Sequence, residues 1–189
     1  MALQAVELEK FYRLINHGPT VMVSAKHHGI ENVMSASWCC ALDFAPKAKL
    51  TVVLDKATFT RSLIEQSGCF AVQVPFAHQA KTVMAMGESY RDHPHKLADN
   101  GIKLFYQDGF DVPLVADCAA YLICKLIDEP HNQQAHDLFI GEVLAAWADD
   151  RVFRDDGHWH FDEVGDDLKT LHYVAGGQFY LTGKGLKVE

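Results

Sequence analysis

Apolar residues recur along this chain with two different periods, and the change falls at Gly18-Pro19. Leu8, Phe11, Tyr12 and Ile15 are spaced as on one face of a helix, which predicts an amphipathic first helix stopped by that Gly-Pro pair. Beyond it the runs 20–25 (TVMVSA), 33–41 (VMSASWCCA), 49–55 (KLTVVLD) and 69–75 (CFAVQVP) are short and rich in β-branched or small residues. Turn-like stretches such as HHGIEN and DFAPKA separate them, so they predict strands. Between the third and fourth, Thr60 is placed to cap a short helix, RSLIEQS, and Gly68 to close it. A second helix is predicted over about 77–86, ending before Gly87.

The next stretch, GESYRDHPHKLADNG at 87–101, is polar and turn-rich and reads as a long exposed loop of the kind that carries function more often than packing. Apolar runs resume at once, so it is not a domain linker. CAAYLICKLID (118–128) and DLFIGEVLAAWAD (137–149) predict two long strands, the second bent near Gly141, and a short last strand is expected around 178–182. Six or more short strands with few helices predict a mainly β fold, a closed antiparallel barrel with flanking helices, in which closure hides the sheet edges. The chain has 189 residues, 49% of them hydrophobic, and neither a repeat nor a low-complexity tract, which predicts one domain over 1–189.

Charge and cysteines narrow the function. A formal net charge of −8, with Lys and Arg interspersed among carboxylates, argues against nucleic-acid binding. The N-terminal MALQAVELEKFYRL has charges where a signal peptide needs an apolar stretch, and no later run reaches membrane-spanning length; a cytoplasmic chain with no membrane partner is expected. Five cysteines, with Cys39 and Cys40 adjacent and no C-x-x-C pair, predict reduced thiols, mostly buried. Eleven histidines invite a metal, and His158-x-His160 and His93-x-His95 put pairs on one side of extended chain. Neither pair has a third ligand at a characteristic spacing, so no metal is assigned.

Two segments carry candidate chemistry. Asn32-Val33-Met34-Ser35-Ala36-Ser37-Trp38-Cys39 sets small hydroxyl residues beside one large ring, which permits close backbone approach by a planar ligand such as an isoalloxazine. Small residues also serve where a helix packs on a sheet, and from this segment alone that reading comes first. Asp55-Lys56-Ala57-Thr58-Phe59-Thr60 brings an ammonium group, two hydroxyls and a helix start together, which suits a phosphate. Alone, it is more simply a helix capped by Thr60 with a solvated Lys56. The two are joined by one predicted strand, so a planar-ring site and a phosphate site can share one pocket, as FMN requires.

These stretches resemble the flavin reductase-like proteins of the FMN-binding split-barrel fold, which include the flavoredoxins. The matching runs are GPTVMVSA, N-V-M-S-A-S-W, F-T-x-x-L-I at 59–64, G-x-F-A-V-x-V-P at 68–75 and S-Y-R-D with Lys96 after it. They continue through 112–125, H-D-L-F-I-G-E-V at 136–143 and L-H-Y-V-A-G-G-Q-F-Y at 171–180, so the likeness covers about 11–182. The resemblance implies a homodimer of Greek-key barrels with FMN near the subunit interface. It places Ser35, Ala36, Ser37, Trp38 and Cys39 along the isoalloxazine, and Lys56, Thr58 and Thr60 at the ribityl phosphate. It implies hydride transfer from NAD(P)H to flavin N5 without a protein nucleophile, and delivery of electrons to a monooxygenase or another acceptor protein. His136 aligns with a histidine near the nicotinamide or flavin. Ala135 stands where relatives have Asp, Gln73 where they often have Asn, and Tyr90 where Gly is common, so the pocket entrance is expected to be more crowded. Alternatives within the resemblance are a flavin-binding or electron-carrier protein without turnover, a structural dimer with a vestigial pocket, and a pyridoxamine phosphate oxidase-like activity.

Overall fold

The structure is a computed structural model that describes residues 18–188; the expected first helix lies outside the described residues. In chain order the strands are β1 (Val21–His27), β2 (Ile30–Ala36), β3 (Cys39–Asp43), β4 (Lys49–Val53), β5 (Cys69–Val74), β6 (Leu104–Phe105), β7 (Leu114–Val115), β8 (Ala120–Ile127), β9 (Leu138–Ala148), β10 (Leu171–Ala175) and β11 (Gln178–Leu181). The helices are α1 (Phe59–Ser67), α2 (Ala80–Met86, preceded by a 3₁₀ turn at Ala77–Gln79), α3 (Lys96–Asp99) and α4 (Pro130–His136).

Seven strands form one antiparallel sheet in the order β2-β1-β5-β8-β9-β4-β3. Strands β2 and β3 are consecutive in the chain yet occupy opposite edges of that sheet. The expected run 33–41 is therefore two strands, broken at Ser37-Trp38, where the chain steps from one edge to the other. Among the described residues hydrogen bonding does not close the sheet between these edges, so the barrel is split along a seam.

Strand β1 shows why the sheet is curled. All of Val21–Ala25 is buried, because both its faces are covered. Val21, Val23 and Ala25 face an interior packed with Leu50, Val52, Phe70, Val72 and Phe139, together with Leu63 and Ile64 of α1. Met22 faces outward onto Val83 and Met86 of α2 and onto Leu171. The two layers bury opposite faces of one strand, the arrangement that a period of two allows.

One sequence expectation changes at the long strands. The extra residue in β9 is Leu144, since Ile123 pairs with Ala145 and Cys124 with Val143; Gly141 sits in regular register. Gly141 is needed for a different reason: a Cβ there would lie 2.6 Å from Phe70 Cζ and 3.0 Å from Cys124 Cβ. Phe70 is fully buried and has nowhere to retreat. Gly141→Ala is expected to lower stability by about 1–3 kcal/mol through overpacking, read as an earlier urea midpoint; an unchanged midpoint would show that the Phe70 ring can yield.

Candidate functional site

Backbone pairing brings the two candidate segments together. The Trp38 carbonyl accepts a bond from Val53 N–H at 3.0 Å, which holds Ser37-Trp38 against the end of β4. From there the chain turns at Asp55 into α1. Asp55 organises this turn: its carboxylate accepts from Ala57 N–H at 2.7 Å, and its carbonyl accepts from Thr58 N–H at 3.0 Å and the Thr58 hydroxyl at 2.7 Å.

The cap of α1 is Thr58, not Thr60, and its hydroxyl is spent on Asp55, so no side chain among the described residues caps the helix. The first turn also lacks an acidic residue. Such a helix start presents N–H donors and partial positive charge. Lys56, Thr58, Ser62 and Gln134 surround a cavity of about 280 Å³ beside it, with Arg61 and Glu65 paired to each other along one wall. This donor set fits a phosphate. Thr60 is fully buried, and its hydroxyl accepts from Asn32 Nδ2 at 2.8 Å. Asn32 and Thr60 therefore tie β2 to α1 beneath the surface, and Asn32 Oδ1, also buried, has no partner among the described residues.

Ser35, Ala36 and Ser37 lie in a larger cleft of about 760 Å³. The Ser35 hydroxyl donates to the Val83 carbonyl at 2.5 Å, fastening β2 to α2. The opposite wall is the β10–β11 hairpin, whose turn is Gly176-Gly177, both left-handed, and which Thr20 anchors by accepting from Tyr173 N–H at 3.0 Å. A cleft with apolar walls and few polar groups suits a planar ring. Lys81, Val83, Met84, Tyr173 and Phe179 line it and went unrecognised as site residues in the sequence. Its walls come from segments far apart in the chain, and only the 171–180 motif pointed toward one of them.

Trp38 is 51% exposed at the seam. Cys39 is largely covered, and burial, with the neighbouring Cys40 adding to it, pushes its thiol up to about 12. It offers backbone rather than thiolate to a ligand. All five cysteines are free, with Cys118 and Cys124 buried and Cys40 exposed.

His136 ends α4, a helix in a stretch for which the sequence predicts no element. Pro130 starts it and the left-handed Asp137 (φ 55°) closes it. The His136 ring is exposed, sits edge-on to His131 at 5.6 Å, and lines neither cavity. Arg61 holds this corner. It donates to the Leu54 carbonyl (3.0 Å), the Gln133 carbonyl (2.8 Å), Asp137 Oδ1 (2.5 Å) and Glu65 Oε1 (3.0 Å). Burial alone would lower its pKa, yet the bonds to Asp137 and Glu65 outweigh burial and hold it above its ordinary value.

Gln73 does not reach the pocket entrance. It is fully buried, donates to the Ser24 hydroxyl at 2.8 Å and accepts from Val115 N–H, so it ties β5 to β1 and β7. The histidine pairs are drawn to acids: the His160 ring meets Asp156 at 2.9 Å and Glu163 at 3.1 Å. Hydrogen bonds to both carboxylates raise its pKa. Among the described residues no group of three or more His, Cys, Asp or Glu is placed to hold a metal ion, and no helix is long and apolar enough to cross a membrane.

A seven-stranded barrel split along a seam, with a ring-sized cleft and an uncapped helix start at that seam, has the architecture of the small flavin-type split barrels. The chain belongs to the flavin reductase-like family: the family model described as a flavin reductase like domain matches residues 12–177. It is similar to an FMN-binding domain of a flavin reductases-like enzyme from Shewanella baltica, at 57% identity and a TM-score of 0.87, covering 98% of this chain and 97% of that one. It is also 36% identical to the Escherichia coli protein YddH over 95% of this chain and 94% of that protein. A flavoredoxin of Desulfovibrio vulgaris shares the fold at a TM-score of 0.76 and 24% identity, covering 90% of each chain.

Proposed function

We propose that this chain binds FMN and acts as a flavin reductase or flavoredoxin-like electron carrier that takes hydride from NAD(P)H. The observation that carries this reading is the Trp38–Val53 backbone bond, which sets the Ser35–Ser37 cleft next to the uncapped α1 start with Lys56 and Thr58. Ser35, Ala36, Ser37, Trp38 and Cys39 would lie along the isoalloxazine, and Lys56, the first N–H groups of α1 and the Thr58 hydroxyl, turned from the Asp55 carbonyl toward the ligand, would hold the phosphate. Asn32, buried and off both cavity walls, would act through Thr60 by fixing β2 against α1 beneath the ligand. When bound, FMN supplies an acceptor for hydride. The chain's own part is to orient the two reactants, screen them from water along Val83, Met84 and Phe179, and balance the phosphate charge.

The exposed position of His136 favours a second reading, flavin holding without turnover, since neither cavity has that imidazole on its wall. A homodimer fits the same architecture. Leu42 and Phe44, on the edge strand β3 and just beyond it, are exposed, and an apolar sheet edge is normally covered.

Protein purified without denaturant should be yellow, should oxidise NADH or NADPH when FMN is supplied, and should scatter light as two chains. Colourless protein that also leaves added FMN fluorescence unquenched would overturn the flavin reading. Yellow protein with no nicotinamide oxidation would select the non-catalytic one.

A further inference from the structure

The segment 87–96 runs from the rim of the large cleft to the helix that borders the small cavity. Gly87 and Glu88 line the large cleft, and two residues further on the Tyr90 ring stacks on Phe59, with centroids 4.0 Å apart and planes 15° apart. Phe59 is the first residue of α1 and adjoins Thr58 of the small cavity. Within four residues the chain therefore passes from the rim of one cavity to the lip of the other. Strand β2 links the same two helices: Asn32 meets Thr60 of α1 and Ser35 meets Val83 of α2, positions about 10 Å apart at the usual strand rise.

The strap is anchored at its far end by a buried ammonium group. Lys96 is 2% exposed, and its Nζ donates to the Met86 and Glu88 carbonyls, each at 2.8 Å, where α2 runs out of helical partners. Between these points the chain is turned on itself: Ser89 O accepts from His93 N–H at 2.9 Å and Ser89 Oγ accepts from Arg91 N–H at 3.2 Å. Burying an ammonium group is costly unless its bonds are kept. The bonds of Lys96 are thus a reason for the strap to hold one conformation, with Tyr90 on Phe59.

We propose that Tyr90, held against Phe59 by the Lys96-anchored strap, is a positioning residue that closes the groove between ring cleft and phosphate cavity, so that bound FMN is retained rather than freely exchanged. The inference rests on the FMN reading above and adds to it the rate at which the cofactor enters and leaves.

A gate of this kind slows entry and exit together, whereas a packing contact that only supports the fold would reduce the binding-competent fraction. The test uses the full chain loaded with FMN and diluted into an excess of apoflavodoxin as a trap, with association measured separately by fluorescence quenching. Tyr90→Ala should raise both rates by about tenfold, the value of one aromatic stack, while Kd moves less than either rate. Tyr90→Phe should stay near wild type. Phe59→Leu, which removes the other half of the stack, and Lys96→Met, which removes the anchor, should shift both rates the same way. Release from Tyr90→Ala within about twofold of wild type, or faster release with unchanged entry, would overturn the gate while leaving FMN binding intact. A wild-type chain that takes up no FMN would instead overturn the flavin reading itself.

Discussion

Arg61→Leu is expected to destabilise the protein by about 3 kcal/mol, the lower end for breaking a buried ion pair by deleting one partner. The guanidinium is almost wholly buried, whereas its acids are partly solvated, with about a third of each side chain exposed. The charges left behind are therefore partly screened, which keeps the cost from the top of the range. The loss goes beyond the two ion pairs. Arg61 also donates to the carbonyls of Leu54 and Gln133, so it joins α1, the exit of β4 and α4 at one point. Asp137 N-terminal to β9 keeps a left-handed backbone there, and its carbonyl accepts from Leu54 N–H at 2.9 Å. Urea unfolding of the variant reads the loss directly, and a change below about 1 kcal/mol, the value of an exposed pair, would contradict this account. Arg61→Lys should recover only part of it, since an ammonium group cannot span four acceptors in a fork.

The second large effect concerns ligand discrimination. Lys56→Ala combined with Thr58→Ala should weaken FMN by about ten- to a hundredfold, the worth of one or two charge-assisted hydrogen bonds, and leave riboflavin within about twofold. Riboflavin has the same ring and ribityl chain without the phosphate, so the ratio isolates the α1 start. Fluorescence titration with both ligands measures it, and equal losses would remove the phosphate from this end of the groove. Thr60→Ala belongs to a different class. Its hydroxyl bonds Asn32 beneath the surface, so deletion would strand a second polar atom on Asn32 and weaken both flavins alike.

That contrast shows what a linear sequence can and cannot reveal. The strands were legible because period-two alternation and β-branched content survive burial on one face, and Gly68 was legible because a left-handed helix end has few substitutes. The break at Ser37-Trp38 was not. Val33 to Ala41 reads as one continuous strand, and only the pairing of Cys39 with Val52 and of Ala36 with Val21 puts its halves on opposite edges. Thr58 and Thr60 are indistinguishable as caps by residue type, and the Asp55 turn decides between them. The α4 segment, PHNQQAH, has too few apolar residues to announce a helix and is held by Arg61 from 72 positions away. Ser35 to Ser37 and Lys56 to Thr58 could be named as candidate ring and phosphate positions, but the cleft's far wall depends on packing between α2 and a hairpin nearly a hundred residues later.

The seam has a mechanical consequence. With β2 and β3 as the two margins of one sheet, unpaired with each other among the described residues, the barrel resembles a sleeve left unbuttoned along one side, and the stretch Ser35–Cys39 crosses the opening. A rigid tricyclic ring lying on that stretch would touch both margins and act as a clasp. Part of its binding free energy would then be spent keeping the sleeve shut, so amides of β2 and β3, although they belong to opposite edges, would gain protection from exchange together when the ring is seated.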